Sequence, residues 1–129
     1  MNRVIDFQIA ELLHRQIVVE MTIRTLERDR KHLTNLKMHR AFDLWMDAKI
    51  KELKELLRDT KYELGKKGVK IKDEQVEGDF INYEILERGK IYERKYNAIA
   101  LKNWCEEEVK RLLGLEYRTT EKGMKPPSR

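Results

Sequence analysis

The chain of 129 residues carries a single cysteine, Cys105. That excludes an internal disulfide and suits a reducing compartment. No run of about 18 apolar residues occurs, so no transmembrane helix is expected. The start of the chain has no basic flank followed by an apolar core and a small-residue cleavage site, so no signal peptide is read. A cytoplasmic location is the expectation. Chemical signatures are missing too: there is no glycine-rich phosphate loop, no His-Glu-x-x-His and no zinc-type cysteine set. No cofactor and no metal are expected, and the chain reads as non-enzymatic.

Charge is abundant instead. Charged residues make up 40 % of the chain, equal to the hydrophobic share, against about 25 % in an average domain. High charge with clear periodicity indicates long solvated helices rather than disorder. The net charge is +5, and it is blocky. Arg24, Arg28, Arg30, Lys31, Lys37 and Arg40 face only Glu27 and Asp29 within residues 21–40, a balance of +4. Lys61, Lys66, Lys67, Lys70 and Lys72 face only Glu63 within residues 61–72, again +4. Residues 73–87 then hold Asp73, Glu74, Glu77, Asp79, Glu84 and Glu87 with no base, or −6.

The strongest pattern is architectural. Ile5, Ile9, Leu12, Gln16, Val19, Ile23, Leu26, Arg30 and Leu33 follow one another at alternating four- and three-residue steps. That spacing draws a stripe along one side of a long helix, over about residues 2–33, and the stripe needs another helix to cover it. Leu13, Ile17 and Met21 add a second apolar line, wide enough for two neighbours. Seven of the nine seam residues are apolar; Gln16, one of the two exceptions with Arg30, can fix register or oligomeric state at some cost in stability.

Met38, Phe42, Trp45, Met46, Ile50, Leu53, Leu57, Thr60 and Leu64 predict a second helix over about 38–64, folded back on the first as a helical hairpin. The competing reading is one continuous helix with a shifted seam, which would force dimerisation. Gly65 and Gly68 end this helix. Val69–Lys72 and Phe80–Arg88 then alternate with period two and predict a two-stranded β-hairpin within 69–88, closed by Gly89. One helix from Phe80 to Leu113 is the alternative, disfavoured by Gly89. Asn97 caps a last helix over about 97–113, with Ala98, Leu101, Cys105, Val109 and Leu112 on one face. The fold class is mainly α (α+β), in one domain over 1–116, followed by a flexible basic tail over 117–129.

The order Leu26-Glu27-Arg28-Asp29, a Lys/Leu-rich helix, Lys67-Gly68-Val69-Lys70-Ile71, Phe80-Ile81-Asn82-Tyr83 and Arg88-Gly89 resembles small uncharacterised proteins of Bacillota genomes, their phages and mobile elements. The resemblance implies the same helix–helix–hairpin–helix order and a bacterial or phage setting. It implies no activity, cofactor or site residue.

Three constellations touch on chemistry. Glu11 and His14, with Asp29 and His32, have the Glu-x-x-His-type spacing of di-iron bundles. They fall off the apolar seam, whereas such ligands project into the core, so they read as surface residues. His39 and Asp43 stand four apart and read as a surface pair. Cys105 lies on an apolar face, and its neighbours Glu106, Glu107 and Glu108 would raise its pKa, the wrong direction for a nucleophile.

Two binding readings remain. Nucleic acid is suggested by three basic groups: Arg24, Arg28 and Lys31 on one helix face; Lys66, Lys67, Lys70 and Lys72 around a turn and edge strand; and Arg88, Lys90, Arg94 and Lys95 interleaved with Tyr92 and Tyr96. Lysines on an edge strand equally suppress aggregation. A protein partner, or a homodimer, is suggested by the seam Ile5, Ile9, Leu12, Gln16, Val19, Ile23 and Leu26, with Trp45 as an anchor or a core residue. The expectation is an accessory or regulatory protein that binds another protein, with a nucleic-acid-binding factor as the alternative and no membrane role.

Overall fold

A computed structural model describes residues 6–118. The order of elements is α1 (Phe7–Arg30), a short 3-10 turn (Leu33–Asn35), α2 (His39–Lys66), β1 (Val69–Glu77), β2 (Phe80–Glu87), β3 (Lys90–Asn97) and α3 (Ala98–Leu113). Ile5, and the tail from residue 119 onward, lie outside the described residues.

Asp6 starts α1, its carboxylate accepting the backbone N–H groups of Gln8 (3.0 Å) and Ile9 (3.2 Å). The buried residues of this helix are Ile9, Leu12, Leu13, Gln16, Ile17, Val18, Val19, Thr22, Ile23 and Leu26. Such a set covers more than one face, because α1 has neighbours on three sides. Ile9, Leu12 and Leu13 meet Leu64, Val69 and Ile85. Ile17 and Val18 meet Ile81, Tyr83, Tyr96, Leu101 and Cys105. Val19, Ile23 and Leu26 meet Met46, Ile50, Leu53 and Leu112. Thus α2 runs antiparallel to α1, the expected hairpin, while α3 runs alongside α1 in the same direction. The seam is one line on a helix enclosed by its own chain.

The first helix ends at Arg30 rather than residue 33. Arg30 occupies the seam position there, and its guanidinium turns to Asp43 (2.6 Å) and Asp47 (3.1 Å) on α2. At the far end of the domain, α3 is capped as its sequence indicates: the Asn97 side chain accepts from Ile99 and Ala100, and Gly114 closes it in a left-handed conformation (φ 79°).

The sheet corrects the expected two-stranded hairpin. It has three antiparallel strands in the order β1-β2-β3. Gly89 does not close it. Arg88 and Gly89 both have positive φ (50° and 84°), the signature of a two-residue turn that starts another strand. Asp73–Glu77 belongs to β1 rather than to a loop, and only Gly78 and Asp79 turn the chain into β2. A bulge at Lys72 shifts the register between Ile71 and Asp73. The shift keeps Glu74 and Val76 in line with Val69 and Ile71 on one face, opposite Tyr83 and Ile81.

Candidate functional site

Two surfaces stand out. The larger is a cleft of about 590 Å³ bounded by α1, α2 and the free edge of β1. Gln16, Glu20 and Arg24 come from α1, Lys61 from α2, and the six consecutive residues Val69–Glu74 from β1. Helical spacing explains the α1 wall, since positions four apart stack on one side. β1 contributes consecutive residues because the cleft follows its edge, which pairs with nothing among the described residues.

One end of the cleft is pinned electrostatically. Both terminal guanidinium nitrogens of Arg24 donate to Glu74, each at 2.9 Å, and Glu20 stands 3.9 Å away. The hydrogen bonds from Arg24 to Glu74 raise the arginine pKa further. Beneath them, burial pushes the Tyr83 phenol up, helped by the Glu74 charge. The other polar feature is Gln16. It is only 5 % exposed, lines the cleft, and makes no side-chain hydrogen bond among the described residues.

The second surface is the tip where α1 turns into α2. Met38 and Phe42 lie one turn apart on the side of α2 that later carries Met46 and Leu53 into the core. They are 72 % and 49 % exposed. Leu36, two residues before Met38, is exposed as well. The N-cap of α2 has no side-chain hydrogen bond.

The structure redistributes the basic residues. Arg24 is tied to Glu74, while Arg28 and Lys31 are exposed further along α1. Lys66 pairs with Glu63 (3.3 Å) and covers the Tyr62 ring. Lys67 donates to Gln8 (2.9 Å), and Arg88 donates to the Lys67 carbonyl (3.3 Å), so Lys66, Lys67, Arg88 and Lys90 gather at one end around Gly68. Lys70 and Lys72 lie instead on the β1 edge that borders the cleft, joined by Lys61 of α2, which belongs to the same basic block of the sequence but not to its candidate contacts. Arg94 turns inward, its guanidinium 5.7 Å from the Tyr96 ring. Tyr96 is buried and Tyr92 half-buried with its hydroxyl on Glu87 (2.8 Å), so the interleaved tyrosines belong to the inner sheet face.

The seam residues Ile9, Leu12, Gln16, Val19, Ile23 and Leu26 are all buried within this one chain. A seam between two chains would have to open that core. Trp45 packs on the three-helix cluster as a core residue.

Glu11, Asp29 and His32 are exposed, and His14 Nδ1 lies 2.7 Å from the Tyr96 hydroxyl. Among the described residues no group of three His, Cys, Asp or Glu side chains is placed to hold a metal. Asp43 is held by Arg30 rather than by His39, whose Nδ1 lies 3.1 Å from the Leu36 carbonyl oxygen. The Cys105 thiol is pushed up chiefly by burial, with Glu108 adding to it and Thr22 opposing; burial, not the run of acids, is the main cause.

Among the described residues, no helix is long and apolar enough to cross a membrane. One family model, described as YhjD protein, matches residues 5–117. No curated protein and no solved structure matches the chain.

Proposed function

We propose, from the premise that the chain belongs to the YhjD protein family, that it is a non-enzymatic accessory protein acting by binding another protein. One observation carries the reading. The apolar stripe of α2 outruns its cover, leaving Met38 and Phe42 in water at the hairpin tip. Apolar side chains grouped at one end of a helix are what a partner's groove buries. Aromatic anchors such as Phe42 concentrate the energy of such contacts. The partner is another protein or a second copy of the chain, met in a bacterial or phage setting.

The test places a photoreactive benzoylphenylalanine at position 42 in the cells that make the protein. A crosslinked protein, lost when Met38→Glu is added, supports the reading; a crosslink to a second copy identifies a homodimer. Crosslinking no stronger than from position 55, an exposed site on α2, refutes it. A nucleic-acid reading draws on Lys66, Lys67, Arg88 and Lys90 at the opposite end. Fluorescence anisotropy with single- and double-stranded DNA and RNA decides it. Binding that weakens steeply with salt and is lost in Lys66→Glu/Lys90→Glu would favour it over a protein partner.

A further inference from the structure

The cleft beside β1 has properties that the tip does not explain. A strand edge presents unpaired backbone N–H and C=O groups, and an extended segment can add to it as another strand. Here the edge is bordered over Val69–Glu74, a length of about 20 Å at strand rise.

Charge on the walls selects among segments. Lys61, Lys70 and Lys72 form no ion pair among the described residues, whereas two of the three nearby carboxylates share Arg24. Glu74 and Glu20 are drawn to Arg24, and Asp73 accepts from the Gln75 amide (3.1 Å). Over the whole wall, Arg24, Lys61, Lys70 and Lys72 stand against Glu20, Asp73 and Glu74, an excess of one positive charge. Gln16 adds an independent sign of a ligand. This primary amide, on a side chain 5 % exposed, lines the cleft without a hydrogen bond among the described residues, so its donor and acceptor are open to whatever fills the cleft. A peptide backbone offers both complements.

We propose that this cleft binds an extended acidic peptide segment of a partner, which pairs with β1 as a fourth strand while Lys61, Lys70 and Lys72 meet its carboxylates and Gln16 meets its backbone. The lysines and the bulge at Lys72 discourage indiscriminate edge pairing. The same lysines favour an acidic strand, so repulsion and attraction combine to set specificity.

The probe is a fluorescein-labelled peptide alternating Glu with Val, followed by anisotropy on the whole chain. Three comparisons accompany it: the same peptide with Lys for Glu, the Glu peptide N-methylated at alternate residues, and inorganic phosphate as competitor. Binding of the Glu peptide alone is expected, weakened by about tenfold in Lys61→Glu/Lys70→Glu/Lys72→Glu and reduced in Gln16→Leu. N-methylation removes the donors needed for strand pairing while keeping the charge, so it should abolish binding. Equal binding of the N-methylated peptide would overturn strand addition, as would no binding of the Glu peptide. Displacement by phosphate would make the cleft an anion site instead. Self-association that the peptide reverses would assign the edge to a second copy. Phe42→Glu leaves this binding intact, so failure here and failure at the tip are read separately.

Discussion

Replacing Gln16 by leucine should make the protein more stable and less able to bind. The side chain is 5 % exposed, lines the cleft on the same α1 seam as Leu12 and Val19, and makes no side-chain hydrogen bond among the described residues. A fully buried amide without a partner costs about 1–3 kcal/mol relative to its hydrated state, but the Gln16 amide is not shut off from solvent in that way, unlike the Asn82 side-chain oxygen. Because the amide borders a cleft, water reaches part of it, so the lower end of that range applies. Leucine has nearly the same bulk and introduces neither cavity nor overpacking. The expected gain is about 1 kcal/mol, which for a chain of this size raises Tm by about 3–5 °C. Differential scanning calorimetry measures it, with urea titration as a check that the denaturant slope is unchanged. Gln16→Ala is the control: it removes the amide but also packing atoms, so its Tm should fall below that of Gln16→Leu. An unchanged or lowered Tm for Gln16→Leu would mean that the amide is satisfied in the native state, and the argument for a ligand-seeking side chain would collapse.

Leu53 is 0 % exposed between α1, α2 and α3, so Leu53→Ala should cost about 2–5 kcal/mol in urea unfolding; a loss below about 1 kcal/mol would contradict the three-helix packing. Hydrogen bonds from Arg30 hold the Asp43 carboxyl below its ordinary range, and those from Lys51 and then Arg30 do the same for Asp47. A folded pKa depressed in this way contributes stability that is present above about pH 4, the unfolded value, and lost as pH falls through the folded values. Arg30→Gln should therefore lower Tm at neutral pH and converge with the parent in acid; a gap constant with pH would refute the linkage. Asn82 on the outer face of β2 is 9 % exposed, and its side-chain carbonyl oxygen has no hydrogen bond. Asn82→Val should stabilise by about 1 kcal/mol, read by thermal melting, from the lost unpaired acceptor and the better strand former.

The helices were legible because their apolar spacing is dictated by packing that the sequence must encode directly. The position of the α1–α2 turn, the Asn97 cap and the Gly114 stop are local chemistry and could be read. β3 was not, because Arg88-Gly89 lacks the Asn or Asp that usually marks a two-residue turn, and a glycine after a strand reads as a stop. β1 looked shorter because the bulge at Lys72 breaks strict alternation just where Asp73 and Glu74 resemble a polar loop. The cleft could not be foreseen at all. Gln16, Lys61 and Lys72 stand far apart in sequence and meet only through tertiary packing. Gln16 was visible as an exception on an apolar seam, which signalled that the position was unusual without revealing what it faced.

All three core clusters draw on α1, and they close it against α2, the sheet and α3. This has a consequence for the order of assembly. During synthesis α1 emerges before every element that covers it, and Ile17 and Val18 await Leu101 and Cys105 from the last helix. Until α3 is released, the helix that contributes to all three core clusters has an open side. The chain therefore cannot acquire its native core piecemeal from its first residues onward. Its core is complete only once α3 has been made, and until then the side of α1 that α3 covers stays open to other chains or chaperones.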